Sequence, residues 1–155
     1  TSLTTTSSEA TLTVESAVLV NGSLKREYFA GASRAQVNNG SATLTSTTLI
    51  NKFEAPAGVA DNYSQKVSGL FIPPATGLYA FIVAGDDDCD LFLSTDDKPA
   101  NKRLIAQQNT WGNNLEWLTA EGGAKSDGLD VTQKSSATWS PDGGATAPFS
   151  GGIRR

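Results

Sequence analysis

The sequence contains no histidine and no methionine, and its 155 residues include a single cysteine. Without histidine, Ser-His-Asp and Cys-His catalysis and histidine-ligated zinc are excluded. A lone cysteine, Cys89, excludes an intramolecular disulfide and a disulfide-stapled scaffold, while leaving an extracellular location open. The balance of 12 Lys and Arg against 16 Asp and Glu, a formal net charge of -4, argues against nucleic acid, which requires a basic stripe. No apolar run approaches the roughly 18–20 residues of a membrane span. The longest, LYAFIVAG at 78–85, has the length of a strand. The chain begins at Thr1 with neither an initiator Met nor a signal sequence, so it is expected to be a processed product or a piece of a longer protein.

What is present favours strands. Beyond the aromatics the composition leans toward Thr, Ser and Gly, with Asn and Val, a mix suited to extended segments joined by many turns, and the length suits one domain with a core. EATLTVE at 9–15 alternates, with Ala10, Leu12 and Val14 on one face, as a half-buried strand does. Asn21-Gly22 and Asn39-Gly40 are turn signals, the second followed by the strand-like, Thr-rich SATLTSTTLI. Pro73-Pro74 and Gly77 predict a further turn. After it, 78–83 is apolar on both faces (Tyr79, Phe81 and Val83 against Leu78, Ala80 and Ile82), which predicts a strand placed centrally between two layers. LFLS and KRLIA read as further short strands, and NTWGNNLEWLT as a single helical turn or an aromatic-anchored loop. Short strands at this spacing predict an all-β, antiparallel β-sandwich with long loops and an N-terminal strand arm.

The chemistry concentrates in AGDDDCDLFLSTDD, 84–97, where Asp86, Asp87, Asp88, Asp90, Asp96 and Asp97 crowd with no Lys or Arg among them. Like charges so placed are tolerated best in water or around a cation. Asp86, Asp88 and Asp90 imitate positions 1, 3 and 5 of an EF-hand, but Leu91 stands where that loop needs Gly and Asp97 where it needs a longer Glu. A solvated acidic turn and a calcium site remain as alternatives. Cys89 lacks a base and is flanked by Asp88 and Asp90, which raise a thiol pKa; it reads as a small inward-pointing residue. Any pair of carboxylates chosen for glycoside hydrolysis is uninformative among so many, and no phosphate-cradling Gly loop is present. The expectation is a protein that is not an enzyme.

PPATGLYAFIVAGDDDCDLFLSTDDKPANKRLIA, 73–106, resembles the signature of the protective-antigen-type (PA-fourteen) β-sandwich domain, a module of bacterial toxins, glycosidases, adhesins and yeast flocculins. The matching residues are Pro73, Pro74, Thr76, Gly77, Tyr79 and Phe81, then Asp86-Asp87, Leu91, Leu93, Ser94, Thr95 and Asp96, and finally Pro99, Lys102, Ile105 and Ala106. LKREYFAG and DNYSQKVSGLF upstream are similar to the family's large bacterial surface proteins. In lectin-like members the paired aspartates adopt a cis peptide and bind calcium, which holds a sugar's hydroxyls; the resemblance implies these roles for Asp86 and Asp87. The chain departs from the family where it stops at PFSGGIRR, before the expected closing strands and a Gly-rich loop bearing a further calcium ligand. EATLTVE resembles the last strand of an upstream immunoglobulin-like domain.

These readings divide the chain into an arm, 1–20, and a β-sandwich domain, 21–155, truncated at its C-terminus. They predict a non-catalytic module at the bacterial cell surface or outside it, working in adhesion, with calcium as cofactor at Asp86 and Asp87 and a glycan as partner. Trp111 and Asn113 are ligand candidates; Trp111, Trp117 and Trp139 read first as core or loop anchors and only second as stacking platforms for a sugar. The alternative is a structural subunit of a filament or surface assembly, whose partners are neighbouring copies of itself. Ala10, Leu12 and Val14 are then the strand donors, since an open sheet edge accepts an added strand. Otherwise the arm is a linker.

Overall fold

The structure, a computed structural model, describes residues 22–116 and 134–141. The arm with Ala10, Leu12 and Val14, and also Trp117, lie outside the described residues.

The alternation in LKREYFA builds β1, Leu24–Ala30, and sends Lys25, Glu27 and Phe29 to one face and Leu24, Arg26 and Tyr28 to the other. After a short helix α1, Arg34–Asn38, come β2, Ser46–Ile50, and β3, Tyr63–Ser68. Both pair antiparallel with β1 in a three-stranded sheet of order β2-β1-β3. Leu24 lies opposite Ile50, and Glu27 opposite Thr47 and Lys66. Arg26 sits over the Tyr28 ring and bonds to Gln65, and Tyr28 packs on Tyr63 with ring centroids 5.5 Å apart.

A second antiparallel pair joins β4, Cys89–Ser94, to β5, Lys102–Gln108, through a turn and a short 3-10 segment, Pro99–Asn101. Its register shifts between Leu91, opposite Ala106, and Phe92, opposite Leu104, so Ile105 is an extra residue in β5. Adjacent strand residues ordinarily face opposite ways, and a bulge breaks that rule. Ile105 and Ala106 are accordingly both buried, at 1% and 0% exposure; with Phe29 they are the buried hydrophobic side chains among the described residues.

The described chain is thus all-β: antiparallel strands with one α-helix. Its strands form two antiparallel sheets, one of three strands and one of two.

Two features differ from the sequence reading. The first is α1, which was not anticipated. Ser33 accepts from the Gln36 N–H through its hydroxyl, and the Gln36 side chain accepts from the Ser33 N–H at 2.9 Å, a complete capping box. The helix ends at the expected Asn39-Gly40 turn, where Gly40 has φ +77°, a conformation that costs glycine little. The second is 78–83, which is not a central strand. Leu78 is 83% exposed, and Ile82 makes an isolated bridge to Ser135. Residues 81–83 do pair, with 134–136: the Val83 N–H donates to the Lys134 carbonyl at 3.1 Å, and the Ser136 N–H to Phe81 at 2.8 Å. Tyr79 instead braces the proline turn, its hydroxyl donating to the Ala75 carbonyl at 2.5 Å. Phe71 packs edge-on against Tyr79 and Phe81. Aromatic contacts and a bridge take the place of a ladder there.

Glu27 is the buried charge of the first sheet. Its carboxylate lies 3.0 Å from Lys25 Nζ and 2.7 Å from Lys66 Nζ, although Oε2 makes no aligned hydrogen bond. Burial pushes its pKa up, but the two ammonium groups outweigh burial and hold it below the ordinary value of 4.5. A lowered folded-state pKa means that the stabilisation is present above the unfolded value and is lost as pH falls through the folded one. Glu27→Gln should therefore cost about 1–3 kcal/mol at pH 7. The difference from wild type should shrink below about pH 4, as read by urea denaturation at both pH values.

Candidate functional site

The acidic loop runs from the 81–83 segment into β4, and two buried features shape it. Gly85 packs so closely on Cys89 that a Cβ there would lie 2.6 Å from Sγ and 2.8 Å from the Cys89 Cβ. Gln108, the last residue of β5 and directly opposite Cys89, is 1% exposed. Its Oε1 accepts from the Gly85 N–H at 3.1 Å. Its Nε2 donates to the carbonyls of Gly85 at 2.6 Å, Asp87 at 3.4 Å and Thr110 at 3.1 Å. The Asp86–Asp87 peptide bond is cis, the geometry that the resemblance implies.

The charge that the loop lacks locally arrives from α1. Arg34 Nε lies 3.0 Å from Asp88, and Nη1 3.3 Å from Asp90 and from the Gln108 carbonyl. Asp90, whose side chain is 6% exposed, also accepts from Asn38 at 2.5 Å and Gln107 at 2.7 Å. Buried carboxylates need this kind of satisfaction. Asp86 and Asp87 differ: both are exposed, and their carboxylates have no hydrogen bond or ion pair among the described residues. The four carboxylates thus divide into a paired set, Asp88 and Asp90, and an open set, Asp86 and Asp87. No group of three or more His, Cys, Asp or Glu able to hold a metal is assembled among the described residues, so the open set offers two carboxylates.

The remaining sequence candidates fall around this loop. Asp96 organises a turn, accepting from the Lys98 N–H at 2.9 Å and Asn101 at 2.7 Å, and these bonds hold its carboxyl below the usual range. Asp97 is exposed beside it. Trp111 is 49% exposed and follows directly on Thr110, whose carbonyl Gln108 holds. Asn113 is exposed, and its N–H donates to Glu116 at 3.3 Å in an irregular turn. The 109–116 stretch is therefore a loop, with no helical turn. Trp139 is half-buried. Cys89 is half-buried, and burial pushes its thiol pKa up to about 11, with Asp90 and Asp88 adding to the rise and Arg34 opposing it.

No protein-family model matches this chain, and it matches neither a curated protein nor a solved structure. The site is consequently read from its own geometry. Sequence reasoning missed its two organisers, Arg34 and Gln108. The Ser33-Arg34-Ala35-Gln36 capping pattern could have placed Arg34 on a helix, but nothing local signals that it meets aspartates more than fifty residues away. Gln108 reads as an ordinary polar residue at a strand end.

Arg34→Met should destabilise the protein by about 1–3 kcal/mol, because it leaves Asp90 buried with fewer donors. The loss should diminish in 1 M salt, which weakens the exposed Asp88 contact in wild type; denaturant titration at two salt concentrations measures both. Cys89 should label with a thiol reagent at pH 8 about a hundredfold more slowly than a free cysteine, in proportion to its thiolate fraction, and at the normal rate once the protein is unfolded.

Proposed function

We propose that this chain is a non-catalytic, extracellular β-sandwich module of the protective-antigen type, serving surface adhesion through calcium-dependent carbohydrate binding. One observation carries the reading: Arg34 pairs with Asp88 and Asp90 and leaves Asp86 and Asp87 exposed and unpaired. Two adjacent open carboxylates are hard oxygen donors of the kind calcium takes, within a shell of six to eight oxygens at about 2.3–2.6 Å. Backbone oxygens, water and a sugar's hydroxyls would complete it. Trp111 and Asn113 are the candidates for contact with the glycan beyond the ion. So few protein ligands suit weak binding, with a Kd on the order of 10⁻⁴–10⁻³ M, the range of extracellular modules.

Calorimetric titration of chelator-treated protein is the test. Calcium should release heat and raise the melting temperature of wild type, and Asp86→Asn combined with Asp87→Asn should abolish both. Absence of both effects in wild type returns the loop to a plain acidic turn. A glycosidase and esterase panel should show no turnover; activity abolished by one Asp or Glu substitution would overturn the non-catalytic reading.

A second reading draws on the first sheet. Its outer strands are β2 and β3, and Leu49 on β2 is 66% exposed. Outer strands that show apolar side chains are templates for strand addition, so a structural subunit held together by strands donated between copies is the rival. Deleting residues 1–16 should break up such an assembly by light scattering and electron microscopy, and should leave a monomeric lectin unchanged.

A further inference from the structure

We infer that Gln108 is the positioning residue of the calcium loop: its buried amide fixes the backbone on both sides of Asp86, and thereby sets where the two open carboxylates stand. The inference rests on the calcium reading above. Three observations lead to it. Gln108 is 1% exposed, so its amide groups must be satisfied by protein. It satisfies them chiefly on the loop, accepting from the Gly85 N–H and donating to the Gly85 carbonyl, with a longer bond to the Asp87 carbonyl and one to the Thr110 carbonyl beyond β5. The Gly85 peptide groups are held on both sides as a neighbouring strand would hold them, although no strand lies there among the described residues. Finally, Gly85 has no room for a side chain against Cys89, and Cys89 is the residue opposite Gln108 in the hairpin. Loop, strand start and strand end thus meet at one buried point.

This assigns Gln108 a task distinct from ligation. Its side chain lies inside, while the carboxylates of Asp86 and Asp87 lie outside. It reaches the ion only through the backbone, as outer groups orient the ligands of metal sites generally. A substitution there should loosen the loop and lower calcium affinity while leaving both carboxylates in place.

The experiment compares wild type, Gln108→Leu, Gln108→Glu and Ile105→Val by calcium calorimetry, together with amide exchange at Gly85. Gln108→Leu removes both bonding groups. Gln108→Glu keeps the shape but sets a carboxylate against the carbonyls of Gly85, Asp87 and Thr110, and it serves where the leucine variant fails to fold. Each Gln108 variant should weaken calcium binding at least tenfold and speed Gly85 exchange. Ile105→Val disturbs the neighbouring core and should leave affinity unchanged, which separates positioning from general loss of stability. A Gln108 variant that binds within twofold of wild type overturns the assignment, as does a Gly85 amide that exchanges freely in wild type. Absence of any calcium response in wild type sinks the calcium reading instead, which the Gly85 exchange rate then distinguishes from a misread loop.

Discussion

One ion-pair cluster joins the two halves of the described structure. Arg34, carried on α1 between β1 and β2, reaches Asp88 and Asp90 at the start of the β4–β5 hairpin. Asn38 on the same helix adds a bond to Asp90. Both pairs are close, but they differ in worth. Asp88 is 40% exposed, so its pairing is screened; Asp90 is 6% exposed, and its pairing offsets a desolvation cost that would otherwise disfavour folding. The helix is short, and a five-residue helix has little stability of its own. Its capping box and the aspartates hold it in place.

The consequence for the acidic loop is a division of labour. A run of carboxylates with no compensation would repel itself, and the fold relieves the crowding by pairing Asp88 and Asp90 with Arg34 and leaving Asp86 and Asp87 open to solvent. Gln108 holds the backbone between these two environments. The result is a loop anchored by neutral and ionic bonds on its inner side, with two negative charges presented to solvent on its outer side. The proposal of a cation-dependent binding module rests on that asymmetry.

Much of the fold was legible in the sequence where a residue's behaviour follows from its neighbours. The STTLI part of the Thr-rich run, LFLS and KRLIA are strands as read, because residue type and spacing are local properties. The Asn39-Gly40 turn formed as expected for the same reason. The apolar run at 78–83 misled because two-sided hydrophobicity predicts cover along the whole segment, whereas Leu78 is 83% exposed and only 81–83 pair. There the coverage comes from Phe71 and the 134–136 segment. The bulge at Ile105 was equally invisible, since one extra residue changes register without changing composition.

By itself, the sequence determined the all-β character, the exclusion of histidine-based chemistry, and the position of the acidic loop, since residue type and spacing suffice for each. Only the tertiary structure decided which aspartates are free. Arg34 and Gln108 lie about fifty residues before the loop and about twenty after it, and the pairing of charges across such separations depends on how strands and helix come together. Coulombic and hydrogen-bond partners act over a few ångströms of space whatever their distance along the chain. The sequence could therefore name the carboxylates, and the fold alone could sort them into those paired with Arg34 and those left open to solvent.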